Sequence, residues 1–329
     1  MLKYVLRRIL LMIPTVLLVS IVSFLVIQLP PGDYLTSYTS SLAQGGQVVQ
    51  QEQLDAMRRE YGLDRPVYVQ YFKWIWNILS EGHFGHSFMW NKPVADLFGD
   101  RLMLTVVLSL ITLMFTWALA IPIGIYSATH QYSPLDYFFT SLGFVGLATP
   151  SFLLALILIY VAIARFGASV SGLFSPEYAE APWSVGRVID LLKHIWLPMV
   201  VVGISGTAGL IRIMRANLLD ELHKPYVVTA RAKGLTERKL LMKYPVRVAI
   251  NPFVSTIGWT LPELFSGTTI VAIVLGLPTM GPIFYRALIA QDMYLAGSFV
   301  FILSILTVIG TLISDLLLAW VDPRIRLER

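Results

Sequence analysis

The chain has 329 residues, 56% of them hydrophobic and only 14% charged, with a mean hydropathy of +0.69 and a formal net charge of +5. A soluble domain carries roughly 45–50% apolar and about 25% charged residues, so this is the composition of an integral membrane protein. With no cysteine in the sequence, a disulfide framework, a thiolate zinc site and a cysteine nucleophile are excluded together.

A bilayer core is crossed by ~20 apolar residues in a helix. Windows that satisfy this fall near residues 9–29, 102–127, 138–165, 195–213, 253–275 and 295–320. The reading is an all-α integral membrane protein of six transmembrane helices. Three parts follow: 1–29, the N-terminus and first helix; 30–101, a long outer, periplasmic segment; and 102–329, a five-helix core with an inner loop at 214–252. Lys3, Arg7 and Arg8 ahead of the first apolar run resemble a secretory signal. That run is too long, however, and ends in Leu29-Pro30-Pro31-Gly32-Asp33 without a small-x-small cleavage site, so it reads as a span.

The outer segment holds six basic residues (58, 59, 65, 73, 92, 101) against eight acids (33, 52, 55, 60, 64, 81, 96, 100). Within it, Leu54, Met57 and Tyr61 give residues 52–61 helical periodicity. Gly62-Leu63-Asp64-Arg65-Pro66 reads as a helix stop and turn, and residues 68–79 form an aromatic-rich amphipathic helix suited to a membrane surface or to its own loop. Residues 37–51 are Gly, Gln and Ser-rich. His83 and His86 are the only close pair among scattered histidines (83, 86, 130, 194, 223) and read as polar loop residues, since no His-Glu-x-x-His motif is present.

In the third window, Thr149-Pro150-Ser151 interrupts the backbone hydrogen bonding, which is tolerated at membrane depth only where protein or water covers it. These residues are candidates to line a translocation path. Gly143, Gly146 and Ala148 just upstream offer a small-residue face for close helix packing.

The loop that follows the fourth window carries nine basic residues (212, 215, 224, 231, 233, 238, 239, 243, 247) against three acids (220, 221, 237). By the positive-inside rule it lies in the cytoplasm, and with six spans both termini do too. Its middle, Val228-Thr229-Ala230-Arg231-Ala232-Lys233-Gly234-Leu235, suits a helix that breaks at Gly234 in a left-handed cap, with a second helix starting at Thr236. Ala230 and Ala232 offer little bulk, so a partner can approach closely. Arg231, Lys233, Arg238 and Lys239 can meet acids or lipid phosphates. Composition leaves two readings open here, a docking knob and a basic loop gripping anionic headgroups.

The fifth window contains Pro262-Glu263. A carboxylate at that depth costs ~2.5–3.5 kcal/mol on insertion scales and faces a cavity or a partner. Pro262 withholds a backbone donor and is expected to kink or open the helix. The pair joins Thr149-Pro150-Ser151 as a candidate path lining, with a structural contact to a neighbouring helix as the alternative. Asp315 in the sixth window reads as a structural contact.

Seven further stretches, in order, carry a resemblance. They are Leu6-Arg7-Arg8 with Pro14 and Pro31-Gly32-Asp33; Tyr61-Gly62-Leu63-Asp64-Arg65-Pro66 with Gln70-Tyr71; Gly82-His83-Phe84-Gly85-His86-Ser87; Thr149-Pro150-Ser151-Phe152; Leu277-Pro278-Thr279-Met280-Gly281; Gln291-Asp292-Met293-Tyr294; and Asp322-Pro323-Arg324-Ile325-Arg326. Together with Thr229–Leu235 and Arg247-Val248-Ala249-Ile250-Asn251-Pro252, they make the chain resemble, over nearly its whole length, the inner-membrane permeases of dipeptide/oligopeptide-type ABC importers. It departs from the broader importer pattern at Val228, where a glutamate is usual, and at Thr279-Met280.

The resemblance implies a permease that pairs with a second homologous permease, two ATP-binding subunits and an extracytoplasmic solute-binding protein, in a bacterial inner membrane. Val228 to Leu235 would then form the coupling loop to the ATPase, and this subunit would be no enzyme. The chain shows no Gly-x-x-x-x-Gly-Lys-Ser/Thr phosphate loop, so it is expected to bind no cofactor itself, ATP and Mg being held by the partners. The cargo implied is oligopeptide, with oligosaccharides or opines as the alternative; nickel fits least, because no His/Met cluster falls within a span. Two other classes stand against the permease reading: a channel-like protein whose loop binds only lipid, and an intramembrane hydrolase, which would need paired catalytic residues where only Glu263 and Asp315 stand.

Overall fold

The structure is a computed structural model that describes residues 2–28, 64–87, 89–167, 171–266 and 268–321. The expected helix at 52–61, the polar stretch 37–51, and the motifs at 31–33 and 322–326 lie outside these residues.

Helix α1 (Leu2–Gln28) runs unbroken through Pro14 and packs along the last helix, α14 (Met293–Val321). Close approach is possible because Gly297 has no side chain where Ile27 sits. Lower down, Arg8 reaches Asp315 at 2.8 Å, which gives the intramembrane carboxylate the structural partner expected for it. The amphipathic helix comes next, as α2 (Val67–Glu81). One face buries Trp74 among Phe24 and Phe301, while Tyr68, Phe72, Trp76 and Leu79 on the other are exposed. It ends where Gly82 turns left-handed (φ 65°). A small hairpin, β1 (His86–Ser87) paired antiparallel with β2 (Lys92–Pro93), then leads into α3.

Helix α3 (Val94–Thr129) begins earlier than its apolar window, with a non-helical residue at Gly99. It forms the centre of the bundle with α7 (Trp196–Leu222), the most extensive helix pair in the molecule. Glycines make the contact close: a Cβ on Gly124 would lie 2.5 Å from Met214, and one on Gly203 would lie 2.7 Å from Phe115. Helix α4 (Pro134–Ala148), capped by Ser133 and Asp136, lays Gly143 and Gly146 against Ala208 and Ile204 of α7, the close packing expected of those glycines.

Two of the expected spans are not single helices. In the third, α4 and α5 (Ser151–Phe166) meet at 101°, because Pro150 cannot donate and forces Thr149 to extended dihedrals (φ −90°, ψ 120°). The fifth is split into α11 (Asn251–Ser266) and α12 (Thr269–Val274). Its break does not fall at Pro262, through which α11 continues, but beyond Ser266. Among the described residues four helices are long and apolar enough to cross a membrane, namely α1, α3, α7 and α14, or five spans if the bent α4–α5 pair counts as one.

The remaining elements are a surface helix α6 (Val185–His194), the short helices α8 (Pro225–Ala232), α9 (Glu237–Lys243) and α10 (Pro245–Ala249), and α13 (Met280–Ile289). Helix α11 packs along α14, with Gly258 against Thr311 and the Ser314 hydroxyl donating to the Val254 carbonyl at 2.7 Å.

Candidate functional site: a cationic helix pair

The basic loop folds into a knob. Helix α8 starts at Pro225, whose missing N–H costs nothing in the first turn, and stops after Ala232. Gly234 follows at φ 77°, a conformation that L side chains adopt only with strain, and α9 begins after Thr236. Thr236 holds the extended backbone of an N-cap, yet its side chain makes no capping bond; its carbonyl accepts the Leu240 N–H at 2.9 Å.

A small apolar core closes the two helices on each other: Val227, Ala230 and Leu240 are buried, with Leu235 and Tyr244 packed around them. Ala230 thus belongs to the inside of the knob, and close approach by a partner is left to Ala232 and Gly234, which are exposed. Val228, Thr229, Arg231 and Lys233 are exposed as well. Arg231 bridges to Glu237 across the break through two hydrogen bonds, 2.5 Å from Nε and 3.0 Å from a terminal nitrogen. These bonds hold the Glu237 carboxyl below the usual glutamate range. Lys233, Arg238 and Lys239 have no ion pair among the described residues, so the tip presents net positive charge.

The knob is fixed to the bundle. Pro245, Val246 and Ala249 of α10 are buried, and Val246 and Ala249 pack with Met214 and Leu218 of α7, Phe253 of α11, and Ala120 and Ala128 of α3. The knob is thus joined to three helices through buried side chains of α10 at its base. Under the knob lies an open cleft of about 730 Å³, whose lining includes Lys224, Lys243, Arg247, Tyr226 and Tyr244.

The candidate path residues do not come together with this knob. Thr149, Pro150 and Ser151 form the corner between α4 and α5, where the Val145 carbonyl accepts both the Thr149 N–H at 3.0 Å and the Thr149 hydroxyl at 2.8 Å. Pro150 is exposed. Glu263 also lies exposed on α11, with no ion pair among the described residues, so its side chain looks out of this chain; of the Pro262 side chain nothing is described.

Several family-like motifs turn out to form a clamp around the start of α14, which the sequence did not disclose. Asp292, 2% exposed, accepts the Ser87 hydroxyl at 2.6 Å and the Met89 N–H at 3.2 Å, and caps α14 through the Leu295 N–H. Gly85 (φ 107°) lies flat against the Tyr294 ring, and the Phe84 carbonyl accepts from Ser298 at 3.0 Å. His86 contacts Asn91 within the hairpin, and no cluster of three potential metal ligands occurs among the described residues. The only sequence signal for this clamp was that its two halves, at 82–87 and 291–294, each resembled the same family.

A bundle of long apolar helices carrying a cationic helix pair at one end is a multi-pass membrane protein. The sequence profile of the binding-protein-dependent transport system inner membrane component matches residues 120–327, and that of the N-terminal part of such membrane components matches residues 1–109. The chain belongs to this family of bacterial inner-membrane permeases. It is 35% identical over 326 residues to the oligopeptide transport system permease protein AppB of Bacillus subtilis, covering 99% of both chains. It is 33% identical to a putative peptide permease protein of Brucella suis, again over 99% of both. With the oligopeptide transport system permease protein OppB of Haemophilus influenzae it shares 30% identity over 99% of this chain and 100% of that one.

Proposed function

We propose that this chain is the permease subunit of an ATP-binding-cassette importer that takes up oligopeptides, working beside a second homologous permease, two ATP-binding subunits and an extracytoplasmic solute-binding protein. The peptide cargo rests on full-length similarity to relatives named as peptide permeases. The mechanism rests on one observation: the exposed, cationic α8–α9 knob leads directly into α10, whose buried Val246 and Ala249 pack with α3, α7 and α11.

In this reading the chain crosses the membrane six times with both termini in the cytoplasm, the bent α4–α5 pair and the broken α11–α12 pair supplying the third and fifth crossings. Residues Val228 to Leu235 enter a cleft of an ATP-binding subunit, where Lys233, Arg238 and Lys239 meet acidic groups. Closure of those subunits on ATP shifts the knob, and the packed side chains at its base carry the shift into the bundle as a rigid-body motion. No group on this chain needs to react. Thr149, Pro150, Ser151, Pro262 and Glu263 border the route, each at an interrupted or polar point of a membrane helix.

Photo-crosslinkers at Thr229, Ala232 and Lys233, all exposed, test this in intact cells. Capture of an ATP-binding subunit is expected. Capture of lipid alone at all three positions would overturn the docking role and leave a loop that only grips headgroups.

A further inference from the structure

The centre of α3 carries a row of hydroxyls that neither the knob nor the candidate path residues use. Thr105, Ser109, Thr112 and Thr116 follow one another at intervals of four, three and four, so they share one helix face, and all are at least 94% buried. Such a row on the inside of an otherwise apolar bundle is unexpected, because burying a hydroxyl without a hydrogen-bond partner is destabilising. Two members are satisfied or closely covered. Thr105 donates to the Arg101 carbonyl at 2.6 Å and accepts the Met280 N–H at 2.9 Å, while Thr116 lies against Gly203 and Gly206 of α7.

Between these, the Thr112 hydroxyl is 98% buried and has no hydrogen-bond partner among the described residues. With Thr105 and Ser109 it lines a small cavity closed on the other side by Thr268, Thr279 and Gly281, the rest of the wall being apolar (Leu108, Val202, Val271, Ala272 and Leu277). The free space is about 10 Å³, near the minimum for one water. The far wall is the least regular backbone of the core: α11 stops at Ser266, α12 covers only Thr269–Val274, and Gly276 turns left-handed (φ 65°) before Leu277-Pro278-Thr279. Irregular backbone at membrane depth survives only when buried in protein or facing a water-filled cavity, and discontinuous helices near the midplane are where transporters build their solute sites.

We propose that this hydroxyl-lined cavity is a solute subsite in its closed form: when α12 and α13 part from α3, Ser109 and Thr112 present uncharged hydrogen-bonding groups to the main chain of the passing peptide. The pocket lining carries no charged side chain, which suits a ligand recognised by its amides whatever its side chains. The inference rests on the peptide reading above for the identity of the solute, but its geometry does not.

The native absence of cysteine makes the test direct. S109C is near-isosteric, and T112C keeps a small side chain at the loss of one methyl. In membranes holding the complete transporter with its binding protein, each is exposed to a charged, membrane-impermeant methanethiosulfonate with and without ATP. Leu110→Cys, 45% exposed on the outside of α3, serves as the lipid-facing control. The proposal expects S109C and T112C to react in one nucleotide state, L110C to stay unlabelled, and a mixed pentapeptide library to slow labelling at least fivefold. No labelling of S109C or T112C in any state overturns the proposal, as does labelling that no solute slows. Protection by maltopentaose but not by peptides would keep the subsite and overturn the peptide reading instead. T112V should raise the KM for uptake by about two- to tenfold, the worth of one neutral hydrogen bond, with unchanged amounts of protein in the membrane.

Discussion

Substitutions at Gly234 separate the shape of the knob from its folding. Gly234 has φ 77°, and a Cβ built there meets nothing within 4 Å. An L residue in this region costs about 1–2 kcal/mol, and asparagine less because its side chain bonds locally. A 1 kcal/mol loss shifts the local equilibrium by about fivefold, and the Val227, Ala230 and Leu240 core that closes the knob is untouched. Gly234→Asn should therefore transport near wild type, and Gly234→Ala should lose at most about thirtyfold, the upper end of that cost. Gly234→Trp bears the same backbone cost as alanine but plants an indole on the exposed tip. It should abolish uptake and co-purification of the ATP-binding subunit while the permease itself stays in the membrane at normal levels. The assay is uptake of a labelled peptide in cells, alongside affinity purification of the complex. If Gly234→Trp transports as well as Gly234→Ala, the tip meets no partner and the docking argument is refuted.

Leu240→Ala should cost about 2–5 kcal/mol, as for a fully buried leucine, more than two short helices can lose, and limited proteolysis should then cut between residues 225 and 243 where the wild type resists. Glu263→Gln should change uptake rate or cargo preference if the exposed carboxylate borders the route; unchanged kinetics across a peptide panel would assign it to contact with a neighbouring subunit. The segment 171–194, around α6, should weaken in acid. Burial of Asp190 works to raise its pKa, but the hydroxyl and N–H of Ser175, both at 2.7 Å, more than offset this and hold it below the ordinary value. A depressed carboxylate stabilises the fold above the unfolded pKa of about 3.9 and loses that contribution as pH falls through the folded value. Protease resistance of the 171–194 segment should therefore hold at pH 6 and decline below about pH 4, and Asp190→Asn should remove that dependence.

Much of this architecture is legible along the chain because the relevant signals are local. A helix-length apolar run reports its own solvent, and α1, α3, α7 and α14 stand where such runs stand. Gly234 punctuates the basic loop because a left-handed residue after a helix favours glycine whatever surrounds it. Pro150 betrays a break for the same kind of reason, since a missing donor is missing in every fold. The size of that break is another matter. A proline permits a kink, but 101° between α4 and α5 depends on what Gly143 and Gly146 find on α7. Pro262, the same residue type in a similar setting, leaves α11 helical.

Composition and periodicity, then, determined that the protein lives in a bilayer, which loop is cationic, and where its helix pair divides, because each depends on short-range backbone and solvation energies. Only the tertiary structure decided that Ala230 faces inward while Ala232 faces out, that Asp292 clamps a hairpin some two hundred residues away in sequence, and that three hydroxyls of α3 meet a broken helix around a water-sized void. These are contacts between residues far apart in the chain, and their energies exist only once the packing brings the partners within a few ångströms of each other.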